Sequence, residues 1–151
     1  MRRNVDECGL YAILAGLNPI LEVSSGITIT SDYCDDYGNH LNNSLALKLF
    51  EEERLRIMDS KGLTKERFMA DFKKLPMVRS QHPRYYSQIF EGQELELLTS
   101  FYVAGARAYA HQRLVGDGAI VLENVALLAF ANERGMPSRI PPEVIDILSG
   151  N

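Results

Sequence analysis

The stretch of the chain nearest to chemistry is Asp6-Glu7-Cys8-Gly9-Leu10-Tyr11-Ala12. A thiol in the first turn of an apolar helix is pushed towards thiolate by the partial positive charge of the helix N-terminus. A thiolate nucleophile also needs a histidine base and a group that orients it. The available histidines are His40, His82 and His111. The first two fall in expected loops and the third on an expected helix, with no strand to organise them. Asp6 and Glu7 would oppose thiolate formation. Cys8 therefore reads first as a small buried core residue, the usual state of a free cysteine, and no catalytic residue is assigned.

Locally, Cys8-Gly9 resembles the Cys-Gly start of the nucleophile helix in papain-like and ubiquitin-like-protease-type enzymes. The resemblance covers residues 6–12 of a 151-residue chain. It implies a cysteine-dependent hydrolase or acyltransferase with Cys8 as nucleophile, which stands as an alternative function.

A second group of reactive types is Asp32, Cys34, Asp35, Asp36 and His40. A calcium loop starting at Asp32 would need acidic or amide residues at its first, third and fifth places, glycine at the sixth and glutamate at the twelfth. Cys34, Tyr37 and Asn43 break that pattern. Zinc would need Cys34 and His40 with two remote ligands such as Cys8 and His111. The expected reading is a solvated acidic loop, with no metal and no cofactor.

Hydrophobic residues make up 46% and charged residues 24% of the chain, with a net charge of −4. This is a globular composition, read as one domain over residues 1–151. Two cysteines suit a reducing compartment, and no apolar run is long enough to span a membrane, so the protein is expected in the cytoplasm. The charge is uneven. Residues 1–53 sum to −6, residues 54–84 to +6 and residues 85–151 to −4.

The basic stretch has helix-turn-helix proportions. It ends in Arg79-Ser-Gln-His-Pro-Arg-Tyr-Tyr86, which mixes cations with two tyrosines. Tyr and Arg are the types that anchor protein interfaces. The candidate partner-binding residues are Lys65, Lys73, Lys74 and Arg79, followed by His82, Arg84, Tyr85 and Tyr86. The partner expected is another protein with an acidic surface. Nucleic acid is the alternative, weakened by the acidic total.

The elements that must position these residues read as helices. Asn4 and Glu7 have capping-box spacing ahead of a helix over 5–17, and Pro19 ends it. Residues 20–31 read as a β-hairpin turning at Gly26. A helix follows over 44–60. Thr64 caps the next one, with Leu63 and Phe68 as its hydrophobic staple, and Pro76 closes it. A short helix over 84–90 precedes two long ones, 93–115 and 118–134, joined by the turn at Gly116-Asp117-Gly118. Pro142 and Gly150 frame a last helix. Small residues at Ala104/Ala108 and Ala106/Ala110 would bring the long helices together, or a second copy of the chain in a homodimer. The expected fold is mainly α, a compact bundle of about six helices with one small β-hairpin near residues 20–31. The expected function is that of a non-enzymatic adaptor, regulator or assembly component.

Overall fold

Glu94-Leu95-Glu96-Leu97 alternates polar and apolar residues with period two, the period of a strand with one buried face. The structure, a computed structural model that describes residues 9–35 and 39–150, makes it the start of one. In chain order the elements are helix α1 (Gly9–Ala15), strand β1 (Leu21–Thr28) and helix α2 (Asn43–Ser60). A short turn of helix α3 (Lys65–Arg67) runs into a π-helical turn over Phe68–Phe72. Then come β2 (Lys74–Tyr85), β3 (Glu94–Ala104), β4 (Arg107–Gly116), β5 (Ala119–Asn132), β6 (Pro137–Ser138) and α4 (Pro142–Ser149).

The strands form one antiparallel sheet in the order β1-β3-β4-β5-β2. β5 outruns β4, whose last pair is Ala108–Leu128, and β6 pairs with the overhang at Phe130 and Ala131.

Helix α2 crosses one face of this sheet, called the inner face below. Ala46, Leu49 and Phe50 meet Leu97, Leu114 and Leu122, and Ile57 meets Phe101 and Ala110. Ala46, Ala110 and Ala126 are almost wholly buried. Their small side chains leave room for a helix to lie close over the strands. At the far end Met58, Leu63 and Phe68 join Phe130, Val144 and Leu148, which seals the sheet with α4. On the outer face, α1 packs Leu10 and Leu14 against Tyr109, Val125 and Leu127.

Several expectations are corrected. The fold is mostly antiparallel sheet, not a six-helix bundle. The expected helix over 93–115 is the hairpin β3–β4, turning at Gly105-Ala106, and the expected helix over 118–134 is β5. Asp117 and Gly118 both take positive φ, +52° and +76°, as a two-residue hairpin turn requires. At Gly116 a Cβ would lie 2.7 Å from the Leu95 side-chain tip, which would have to shift to admit it. The hairpin expected at 20–31 is the single strand β1, paired along its whole length with β3, so Gly26 makes no turn. The helix over 84–90 is the end of β2 and an irregular segment. The early part of the first expected helix lies outside the described residues, as does Cys8. Thr64 does cap α3, accepting from the Arg67 N–H. Helices α2 and α4 match their expected spans closely. No helix among the described residues is long and apolar enough to cross a membrane.

Candidate active-site cleft

The N-terminus of α2 opens on a cleft of about 500 Å³, lined by Asp35, His40, Asn43, Tyr85, Ser87 and Gln88 among others. Its walls are held by backbone pairing rather than by regular strands. Cys34 and Leu41 form an antiparallel bridge, and the Asp35 N–H donates to the His40 carbonyl at 2.9 Å. Leu41 donates to Ile89 O at 2.8 Å and Glu91 to Asn39 O at 2.8 Å, so the loop is laced to the segment after β2. The His40 ring packs edge-on against Phe90, with centroids 4.8 Å apart. The imidazole therefore has a fixed seat.

Asn42 caps α2. Its side-chain oxygen accepts from the N–H groups of Ser44 and Leu45. The first N–H groups of a helix have no acceptor within it, and they carry its partial positive charge. With Ser44 and Leu45 taken by the cap, the Asn43 N–H is the helix donor left at the cleft. The Tyr85 hydroxyl closes the other side, donating to the Asn43 carbonyl at 3.3 Å.

The protonation states are set by neighbours. Burial, with the Glu91 and Asp35 carboxylates, raises the Cys34 thiol above its usual value, which favours the thiol over the thiolate. Tyr33, bonded to Glu52, is pushed up to about 12. Burial raises Tyr85. The bond to Glu123, with burial, raises Tyr86. All three tyrosines are neutral donors near neutral pH. The cleft thus combines a carboxylate, an imidazole, phenol and serine hydroxyls and a helix N-terminus. That set can polarise a carbonyl group and deliver water to it.

Among the described residues no three His, Cys, Asp or Glu side chains gather as a metal site. His111, once a candidate ligand, is on the outer face at 2.8 Å from Glu123. Asp36 lies outside the described residues.

The eight residues singled out from the sequence lie along β2 and the segments on either side of it. Lys65 is in α3, and Lys73 precedes β2, 4.0 Å from Glu133. Lys74 Nζ donates to the Arg139 carbonyl. Arg79 sits in a β-bulge between Val78 and Ser80. The His82 carbonyl accepts from the Tyr11 hydroxyl, and the Arg84 guanidinium stacks 3.8 Å from the Tyr11 ring centroid. Only Tyr85 and Tyr86 line the cleft. The sequence reading grouped Asp35 with His40 as possible metal ligands but did not join them to Asn43 or the tyrosines. The signal was present in Asn42, a capping residue two positions after His40.

A family model described as the thioesterase-like superfamily matches residues 30–148. No curated protein matches the chain. Among solved structures, a probable thioesterase from Bartonella henselae matches at TM-score 0.70 and 18% identity, over 80% of this chain and 99% of that one. A hypothetical protein from Staphylococcus aureus in complex with CoA matches at TM-score 0.74 and 17% identity, over 88% and 86%. A 1,4-dihydroxy-2-naphthoyl-CoA thioesterase from Synechocystis matches at TM-score 0.74 and 8% identity, over 84% and 95%. The architecture is that of the hotdog fold.

Proposed function

This chain belongs to the thioesterase-like superfamily, and from that premise we propose that it hydrolyses acyl thioesters of the coenzyme A type in the cleft at the N-terminus of α2. The family and fold overturn the expectation of a non-enzymatic adaptor. The observation that carries the reading is the meeting of the Asp35 carboxylate, His40 and the α2 N-terminus around one open cavity. The thioester carbonyl oxygen points at the Asn43 N–H, where negative charge developing on it is stabilised. Asp35 takes a proton from the attacking water, whose oxygen bonds to the carbonyl carbon. The C–S bond breaks as the proton held by Asp35 passes to the leaving sulfur, and the products are a carboxylic acid and a free thiol. His40 orients the thioester through a hydrogen bond, and the Tyr85 side chain, tied to the Asn43 carbonyl, forms the opposite wall.

Replacing Asp35 by Asn tests this by following thiol release from an acyl-CoA. Loss of general-base help costs about 100-fold or more in rate. Wild-type rates in Asp35→Asn, with an unchanged circular dichroism spectrum, would sink the reading.

The protein partner we propose is a second copy of this chain. β2 is an edge strand, paired only with β5. Exposed Met77 on it and exposed Leu55 of α2 flank one small cavity. An open edge with apolar side chains is a template for strand pairing. Met77→Glu should shift the mass measured by light scattering from dimer to monomer, and a wild-type monomer at micromolar concentration would refute it. The reducing cytoplasm suits the free Cys34.

A further inference from the structure

The cleft wall formed by the chain after β2 starts at Tyr86. Tyr85 makes the last pair of the β2–β5 ladder, with Leu122. The N–H groups of Tyr86 and Ser87 then both donate to the Val121 carbonyl, at 3.0 and 3.3 Å. The chain leaves the ladder there and runs on as Ser87, Gln88 and Ile89, which line the cleft with the two tyrosines. Tyr86 is 54% exposed, yet its hydroxyl is spent, since it donates to the Glu123 carboxylate. A tyrosine side chain turns about two torsions, and a bond at its tip restrains both.

Glu123 is an unusual anchor. It is on the outer face of β5 and only 7% exposed, with Arg84 of β2 and Arg113 of β4 as its cross-strand neighbours. Its second carboxylate oxygen lies 2.8 Å from His111 Nε2. With one oxygen on Tyr86 and the other on His111, the carboxylate has one orientation. The Arg84 guanidinium faces the same Tyr86 hydroxyl and stacks 3.8 Å from the Tyr11 ring centroid. Burying a carboxylate costs free energy that its bonds must offset. One of the bonds that does so here reaches a residue of the cleft.

We infer that Glu123 is a positioning residue for the thioester, holding the Tyr86 ring, and with it the start of the wall at 86–89, against bound substrate. This rests on the thioesterase reading and deepens it. With its hydroxyl taken, Tyr86 offers the substrate a ring face and no hydrogen bond. The groups assigned to the chemistry are held separately. The α2 cap fixes the helix N-terminus, and the Asp35–His40 backbone bond fixes the loop. The Tyr86 ring therefore contacts the thioester away from the reacting bond. A contact made equally before and during reaction sets KM and leaves kcat alone.

The test is thiol release by the whole chain from a series of acyl-CoAs, acetyl to palmitoyl. Glu123→Ala and Tyr86→Phe should each raise KM about fivefold, the effect of having to order one free side chain on binding. Their kcat should stay within about twofold of the wild type, whereas Asp35→Asn should lower kcat. Glu123→Gln should keep KM within about twofold, because its amide still accepts from Tyr86 and donates to neutral His111. Glu22→Gln alters the far end of the outer-face chain, at Ser100, and should leave KM unchanged. Should Glu123→Ala misfold, Tyr86→Phe carries the test, since it removes only the hydroxyl. Unaltered KM in the Ala and Phe variants, an equal rise in Glu22→Gln, or a loss in Glu123→Gln as large as in Glu123→Ala would overturn the inference. An active wild type with those results removes this inference alone. A wild type that releases no thiol from any member of the series removes the thioesterase reading and the inference with it.

Discussion

The two faces of the sheet connect their buried polar groups to different elements. On the inner face Gln112 is wholly buried, and every polar atom of its side chain is spent. Its Oε1 accepts from Arg54 at 2.8 Å, and its Nε2 donates to the Phe50 carbonyl at 3.0 Å and to Thr99 Oγ1 at 3.3 Å. This knot ties α2 to β3 and β4. On the outer face the polar groups form an open chain. Glu123 receives Tyr86 and His111, Arg113 reaches Ser100, and Ser100 reaches Glu22. Arg113 Nε on this face, like Asn124 Oδ1 on the inner face, is buried without a hydrogen bond among the described residues. The contrast teaches where rigidity is needed. The inner knot sets the axis of α2, and that axis aims the helix N-terminus into the cleft.

Gln112→Ala should be the most damaging single change to this contrast. It leaves the Arg54 guanidinium buried without its acceptor. Burial already lowers the basicity of Arg54 below the usual arginine value, against a smaller opposing effect of Glu51. Breaking a buried charged contact while its partner stays behind costs about 3 kcal/mol. Urea unfolding should show that loss. R54M/Q112L, which removes both polar groups and keeps the volume, should recover most of it. A loss under about 0.5 kcal/mol for Gln112→Ala, the level of an ordinary surface change, would show that the knot does not anchor α2.

The same difference between faces explains what was legible in the sequence. Helices α2 and α4 were, because each has a cap or a proline at its start and a helical apolar spacing along it. The Gly116-Asp117-Gly118 turn was also legible, as was the β-branched run of β1. Residues 93–134 were not. Ala104 and Ala108, like Ala106 and Ala110, are four apart, and four residues is close to one helical turn and also two full strand repeats. Ala108 and Ala110 in fact share the inner face of β4 at a spacing of two. Alanine and leucine carry high helix propensity, and tertiary packing under α2 overrides it. The alternation at 94–97 and the Asp117-Gly118 dipeptide were the correct signals. For the site, His40 and the paired aspartates were seen as ligand types. What one segment of sequence could not show is that the chain after β2, at Tyr85 to Glu91, returns to close the other wall.

The outer face supplies the smallest and most specific test. His111 is mostly buried against Tyr11 and Glu123. Burial lowers its pKa below 6.5; the Glu123 bond opposes that shift, and the Arg113 charge adds to it. The folded protein therefore prefers the neutral imidazole, and the unfolded chain binds the proton more readily. Stability contributed by neutral His111 is fully present above pH 6.5 and is lost as pH falls from there towards the lowered folded value. His111→Gln keeps a hydrogen-bond partner for Glu123 but cannot titrate. Its stability near neutral pH should lie within about 1 kcal/mol of the wild type, while its decline on acidification should be shallower. Parallel declines in the two proteins would place the acid-sensitive group elsewhere.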